Sequence, residues 1–550
     1  MLESAAAHCA FDIEGRMVKL HGQNEGAKVS GATTYGNIIE PFLENVEKHP
    51  QRVACVCGEI TQTYEQLDTL ACKIARAFRN RGVETGDKVA YLMENSVELI
   101  AVYLAIQRIG AVAVPLNYRL IPREIAYLTN AVDAKLLVFA KKFEEKVVES
   151  RRDFNPELDL LAVGASTPFA PRLFDLSEPA EPDLELFRDE GALSRVQFTG
   201  GSTGLPKGAC RTHGQDLAEI RVILRSNAML EMDHPVVLIQ CPLEHHGGHS
   251  WFMCALSAGA TIVICGKFDA RAVLDQIDEH GVTHMILLPP TTYVRLVRDG
   301  GVSSHDLSTV RIVQSAAGAM TPEIVRAIYG AFPNAEINYG WGQSESGSGI
   351  TMRLTREMLE EDSPLLDALG KPMDEMEIRI VDDEGDDVTP GEPGEALVKS
   401  PAVMSGYYGQ PEITANTITP DGWLHTGDVM RVDENGYYYL CARKKDMIKS
   451  GGENVFINEV QTAILRNPDV ADCVVFGTSD PVMGEAVAAV VQPVKGKTLT
   501  AQDVQEACKA YIASYKKPRY VLFVDNLGRD DAGKIRMKNV VAYFDAHVEK

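Results

Sequence analysis

The chain is short of positive charge and of aromatic side chains. Lys and Arg total 54 against 77 Asp and Glu, a formal net charge of −23. Coating a nucleic acid requires Lys and Arg against phosphates, so this balance excludes that class of partner. Any anionic ligand must be met by a local positive site. Aromatic residues make up 7% of the 550, and only 3 are Trp. No apolar run is long enough to span a bilayer. The first residues, MLESAAAHCAFDIEGRMVKL, lack the basic stretch and apolar core of a secretory leader. The 11 Cys are scattered and odd in number. Cys55 and Cys57 form a C-x-C with no second pair to complete a zinc site. Free thiols suit a reducing compartment, so a cytoplasmic location is expected. Internal repeats and low-complexity tracts are also lacking.

What is present is an α/β texture, in a chain long enough for several domains. YEQLDTLACKIARAFRNRG (64–82) has apolar residues at helical spacing and ends on Gly82. DKVAYLM (87–93) reads as a strand and SVELIAVYLAIQRIG (96–110) as a helix with Ser96 at its N-cap. AVAVPL (111–116) is the next strand. The alternation returns between 260 and 332, and it implies parallel sheets with helices on both faces. After about residue 370 the texture changes to short strands with acidic Gly/Pro turns. DENGYYYL (433–440) reads as a hairpin turning on Asn435-Gly436. A compact α/β tail follows ARKKDMIKSGGENV, and residues 1–33 read as a polar lead-in.

FTGGSTGLPKGACRTH (198–213) sets Gly200, Gly201, Gly204 and Gly208 around Ser202, Thr203 and Lys207. So many glycines and Pro206 cannot hold a regular helix or strand. The stretch is not a Walker loop, because Lys207 stands between Pro206 and Gly208. Bare backbone N–H groups, hydroxyls and one Lys suit a phosphate. A glycine-rich surface loop without a ligand is the alternative.

TGGSTGLPKG is similar to the phosphate loop of the adenylate-forming superfamily, which includes acyl-CoA synthetases, luciferases and peptide-synthetase adenylation domains. Further signatures follow in order from about Thr34 to Arg536: GAVAVPLN, VQSAAGAMTPE, NYGWGQSESG, GWLHTGD, ARKKDMIKSGGENVFINEV and YKKPRYVLFVDNLGRDDAGKI. Several positions depart from the usual pattern. Gly200 stands for Ser, Ser344 for Thr, Trp341 for Tyr, Ala442 for Gly and Gly528 for Pro. The resemblance implies an α/β fold with a large N-terminal domain of two parallel-sheet α/β subdomains plus a small β-barrel-like subdomain. A small mobile α+β C-terminal domain follows. It implies a boundary between 1–444 and 445–550, with the hinge at Lys445.

The resemblance also implies an AMP-forming ligase that activates a carboxylic acid with ATP and passes the acyl group to coenzyme A. Thr199, Gly201, Ser202, Thr203, Gly204 and Lys207 would hold the phosphates. Glu345 would be the Mg2+ ligand, since an oxygen donor suits a hard cation. Ala317, Gly318, Trp341, Gly342, Gln343 and Ser344 would surround adenine and the α-phosphate. Asp428 and Arg443 would take the ribose, a carboxylate having two acceptor oxygens for a vicinal diol. Lys534 would reach the reacting carboxylate and α-phosphate. After domain rotation, Lys449, Gly451 and Gly452 would line the coenzyme A tunnel.

The acyl pocket would involve His245, which gates carboxylate and thiol access, with His246, Gly247, Gly340, Gly342 and Gly347. Glu244 stands where an aromatic is common. His245, His246 and His249 also raise a zinc site, disfavoured by the flexible Gly247-Gly248 between them. The glycines suggest a medium-sized hydrophobic acid: aromatic, alicyclic or medium-chain. A ligase loading a separate carrier protein and a luciferase-like oxygenase remain alternatives. Homodimers are common in the superfamily, and no nucleic-acid partner is expected.

Overall fold

The computed structural model describes residues 10–11, 33–175, 184–199, 206–444, 447–450, 453–480, 483–509, 511–512, 514–529 and 535–548. Two large sheets dominate. One has seven strands, in the order 406–407, 207–212, 193–199, 112–116, 88–92, 136–140 and 159–163. Its strands 88–92, 112–116, 136–140 and 159–163 run parallel. The other has nine strands, with a parallel centre formed by 261–264, 236–239, 284–286, 312–316 and 336–343.

The sequence grammar explains the layers between them. Helix Tyr64–Asn80 is amphipathic and begins on a capping box, in which Thr63 and Gln66 exchange hydrogen bonds of 3.2 and 2.9 Å. Gly82 follows it at φ +74°. Ser96 caps helix Val97–Arg108 by accepting from the Leu99 N–H at 3.1 Å. Every residue of that helix except Glu98 is buried, as an apolar surface on all sides requires. These helices belong to one core cluster that also holds Ala54 and Ile262 from one sheet and Val89 and Tyr91 from the other. Each fully buried Leu or Ile adds about 1.5–3 kcal/mol of transfer free energy.

The β-rich stretch after 370 is a four-stranded antiparallel sheet of 377–381, 394–399, 424–432 and 438–443. Its final turn is longer than an Asn-Gly pair. Asp433 N–H donates to the Tyr437 carbonyl, and the Asp433 side chain accepts from the Asn435 and Tyr437 N–H groups, each at 2.9 Å. Gly436 supplies the left-handed residue, φ +79°. The loop therefore spans 433–437 and is organised by Asp433.

The C-terminal unit is a five-stranded sheet with its own core, including Val460, Ile464, Val475 and Val491. Helix Ile457–Leu465 packs on strand Tyr438–Arg443, and Arg466 reaches Asp367 at 3.2 Å. Among the described residues no helix is long and apolar enough to cross a membrane.

Candidate active site

A cavity of about 2300 Å³ lies at the carboxyl ends of the parallel strands of the nine-stranded sheet. Gln240, Leu288 and Ala317, each just beyond such a strand, line it. In open α/β sheets this is where the layers leave a crevice for ligands. The four-stranded sheet contributes Asp428 and Arg443, and the C-terminal unit contributes Glu459 and Arg466.

Thr199 and Glu345 meet at one end. They are far apart in sequence, but strand Leu193–Thr199 ends beside the turn after strand Glu336–Gln343. Glu345 Oε1 accepts from Thr199 Oγ1 and from the Tyr407 hydroxyl, both at 3.1 Å. Its carbonyl accepts from Met404 N–H at 2.8 Å, which fixes the turn. Lys207 Nζ sits 5.1 Å over the Tyr407 ring. Tyr407, which sequence reasoning missed, thus joins the carboxylate to the lysine. Burial, with Glu345 beside it, pushes the Tyr407 phenol up.

Asp428 is almost fully buried, and its partners converge from two sheets. Trp341 Nε1 and Gln343 Nε2 each donate to Asp428 Oδ2 at 2.8 Å. On the adjacent strand Arg443 pairs with it in register, Nε 2.6 Å from Oδ1. Burial pushes the Asp428 carboxyl up, opposed by Arg443. The strand carrying Trp341 is irregular between Trp341 and Gly342. A Cβ at Gly342 would come to 2.7 Å from the Gly347 carbonyl oxygen, so glycine is required there. Ala317 is held at φ +62°, an uncommon conformation for a residue with a Cβ. Next to it the Gly318 carbonyl accepts from the Tyr339 hydroxyl at 2.9 Å.

The cavity is also bordered by the apolar side chains Trp251, Ile286 and Leu288 and by Gly247, Gly340 and Gly347. His245 lies on this wall, its Nε2 3.2 Å from Asn117 Nδ2. His246 lines the cavity too, but both ring nitrogens face other groups. Nδ1 is 2.8 Å from Arg195 Nη2 and Nε2 is 3.0 Å from Glu219 Oε1. His249 is buried edge-on between Tyr103 and Phe252, with both nitrogens unpartnered. Each of the three histidines thus has its own neighbours. Among the described residues no cluster of three His, Cys, Asp or Glu is placed to hold a metal.

Behind this wall lies a buried charge network that sequence reasoning missed. Asp216 pairs with Arg195 at 3.0 Å and with Arg211 at 2.6 Å. Arg211 also pairs with Glu219 at 2.9 Å, and all four side chains are at most 1% exposed. Burial alone would raise the Glu219 carboxyl, but His246 and Arg211 hold it well below the usual range. The network braces the candidate nucleotide loop from behind. Arg211 donates to the Ser344 carbonyl at 3.3 Å, and Glu219 accepts from Ser348 N–H at 3.0 Å.

The structure therefore brings together Thr199, Lys207, Ala317, Gly318, Trp341, Gly342, Gln343, Ser344, Glu345, Asp428 and Arg443 with His245, His246, Gly247, Gly340 and Gly347. Lys449 lies on the short strand Met447–Ser450. Gly201, Ser202, Thr203, Gly204, Lys445, Gly451, Gly452 and Lys534 lie outside the described residues.

Comparison with known proteins gives concordant matches. The AMP-binding enzyme family matches residues 42–408, and the AMP-binding enzyme C-terminal domain matches 459–534. A feruloyl-CoA synthase from Amycolatopsis sp is 32% identical over 488 residues, covering 88% of this chain and 94% of that one. An indoleacetate–CoA ligase from Aromatoleum aromaticum is 32% identical over 513 residues, covering 90% and 97%. Among solved structures, an amide bond synthetase from Marinactinospora thermotolerans superposes with a TM-score of 0.83 at 28% identity, covering 92% and 99%. An anthranilate CoA ligase in complex with anthranoyl-AMP does so with 0.83 at 25% identity, covering 94% and 98%.

Proposed function

The chain belongs to the AMP-binding enzyme family, and from this premise we propose that it is an AMP-forming ligase joining an aromatic carboxylic acid to coenzyme A. The observation that carries the reading is one continuous cavity. Its wall includes Thr199, Glu345, Asp428 and Arg443 together with the apolar Trp251, Ile286 and Leu288.

A carboxylate is a poor electrophile because its leaving group would be oxide. Transfer of AMP to the acid replaces that leaving group, and the charge shifting at the α-phosphate must be stabilised. In the proposed arrangement Asp428 and Arg443 hold the ribose, and Ala317, Gly318 and Trp341 border the adenine. Thr199 and Lys207, with Gly201 to Gly204, grip the phosphates. Lys534 faces the reacting carboxylate and α-phosphate. Residues 1–444 form the nucleotide- and acid-binding domain, and 445–550 form a lid that turns about Lys445. The turn exchanges Lys534 for Lys449, Gly451 and Gly452, beside which the thiol of coenzyme A enters.

The donor set fits Mg2+. Glu345 offers a lone carboxylate with a hydroxyl, Thr199 Oγ1, beside it. This suits an ion that keeps most of its waters and is otherwise held by substrate phosphates. When bound, the ion would neutralise phosphate charge. The reading extends to a cytoplasmic homodimer, which sedimentation of the purified chain tests.

Incubating the enzyme with ATP, magnesium, coenzyme A and a panel of aromatic, alicyclic and fatty acids, with mass detection of AMP and thioester, tests the function. Aromatic acids should give both products. AMP without thioester for every acid would overturn the coenzyme A reading. Thioester from fatty acids alone would overturn the aromatic one.

A further inference from the structure

Tyr407 stands on the short strand Gly406–Tyr407, beside strand Lys207–Thr212, with Ala209 as its register partner. Lys207 in turn pairs with Thr199 on the next strand. Three adjacent strands of the seven-stranded sheet thus carry Thr199, Lys207 and Tyr407. They face Glu345, which belongs to the turn after strand Glu336–Gln343 of the other large sheet. The tyrosine backbone is tied down on both sides. Its N–H donates to Thr414 Oγ1 at 2.9 Å, and the Tyr408 N–H donates to the Gly208 carbonyl at 2.8 Å.

The contacts on Glu345 are one-sided. Thr199 Oγ1 and the Tyr407 hydroxyl both donate to Oε1, and among the described residues Oε2 accepts no hydrogen bond. An ionised carboxylate has acceptor capacity on both oxygens. Two donors on one oxygen therefore fix its rotation and leave the other for a cation. Lys207 lies over the ring of the same tyrosine, a cation–π arrangement, and among the described residues it pairs with no carboxylate. Lys207 and Glu345 carry opposite charges in one site, and a direct pair would neutralise both. The tyrosine gives each its own partner, the ring for the lysine and the hydroxyl for the carboxylate.

We propose that Tyr407 is a positioning residue: its hydroxyl turns Glu345 Oε2 toward the metal of the ATP complex, and its ring keeps Lys207 apart from that carboxylate. The proposal rests on the reading that Glu345 holds Mg2+ and Lys207 the phosphates.

Calorimetry of ATP binding to the full chain tests it, once with Mn2+ as the probe metal and once in EDTA. No acid is present, so nothing turns over and binding alone is read. Tyr407→Phe keeps the ring and loses the hydroxyl. The gain in ATP affinity that Mn2+ brings should fall roughly tenfold, the loss expected for one hydrogen bond to a charged group. The Kd in EDTA should not change. Tyr407→Leu loses the ring as well, so its Kd in EDTA should also rise, by about two- to fivefold. Equal losses with and without Mn2+ in Tyr407→Phe would reduce the tyrosine to packing and overturn the proposal. A wild-type gain kept in full by Tyr407→Phe would overturn it too. If Tyr407→Leu does not fold, Tyr407→Phe still decides, because it removes one oxygen from a half-buried side chain. A wild type in which Mn2+ adds nothing to ATP binding would overturn the metal reading of Glu345 itself, and the proposal with it.

Discussion

Arg443 and Asp428 sit opposite each other on adjacent strands, with Arg443 Nε 2.6 Å from Asp428 Oδ1. The pairing is lopsided, because the arginine side chain is 49% exposed and the aspartate only 1%. Water screens the arginine, and the aspartate depends on its fixed donors Trp341 and Gln343. Asp428→Asn keeps the shape but must turn its NH2 either to those donors or to Arg443, and it removes the charge from the proposed ribose site. A hydrogen bond to a charged group contributes about 1.5–3 kcal/mol. The variant should lose roughly ten- to a hundredfold in kcat/KM for ATP. Acid-dependent pyrophosphate exchange reads this directly, and an unchanged value would remove Asp428 from nucleotide binding.

Trp341 offers a finer test of the same site. Trp341→Phe keeps an aromatic face but deletes the N–H that orients Asp428. With one donor to a carboxylate lost, at about 1.5–3 kcal/mol, the KM for ATP should rise roughly ten- to a hundredfold. The KM for the acid should not change. Equal changes in both would place the indole in general packing only.

These contrasts show which parts of the site could be read from the chain. Glu345, Asp428 and Lys207 stand in compact local motifs, so the chain alone could single them out as candidates, and all three line the same cavity. The Arg195–Asp216–Arg211–Glu219 network was not legible in this way. Its members come from two strands and a helix, and each looks alone like an ordinary solvent-facing charge. Only the crossing of helix His213–Ser226 behind the sheet buries them together. Tyr407 escaped notice for the same reason, since its bond to Glu345 spans 62 positions. The parallel strands were legible from their apolar runs. The Asp433 loop was not, because the Asn-Gly pair pointed to a tighter turn than the aspartate builds.

The buried network makes a stability prediction. Asp216→Asn would leave Arg195 and Arg211 short of their shared counter-charge at 1% exposure or less. Removing one partner of a buried ion pair costs about 3–5 kcal/mol. A clear fall in melting temperature is expected, with lost activity following unfolding. A variant as stable as the wild type would mean that the arginines reach water.

Glu244 predicts a pH dependence of stability. Burial raises its carboxyl to about 8, and neither oxygen has a partner. The folded state therefore holds a proton that the unfolded chain releases near its ordinary value of 4.5. Between these values the unfolded state binds fewer protons, so this group lowers stability as pH rises, at up to about 1.4 kcal/mol per unit. Glu244→Gln cannot ionise and removes that slope. Urea midpoints at pH 5 and pH 8 should therefore differ more in the wild type than in the variant. The same difference in both would show that Glu244 is ionised, or hydrated, in the fold.

Gly247 tests the acid-binding end of the cavity. It lies in the first turn of helix His246–Ser257, and a Cβ there would meet Leu288 Cδ1 at 3.4 Å, an ordinary contact. Gly247→Met is thus compatible with the backbone, and replacing a helical glycine favours folding by up to about 1 kcal/mol. The melting temperature should not fall. Beyond Cβ, the methionine chain has the cavity as its open side and takes space that a ring would use. Overpacking costs about 1–3 kcal/mol, so kcat/KM for aromatic acids should drop roughly ten- to a hundredfold. Short acids such as propionate should lose nothing, and the KM for ATP should stay the same. That split matters because a distorted nucleotide site would slow every acid alike. Equal loss with propionate and with aromatic acids would mean that the ring binds elsewhere, and the aromatic-acid assignment would fail with it.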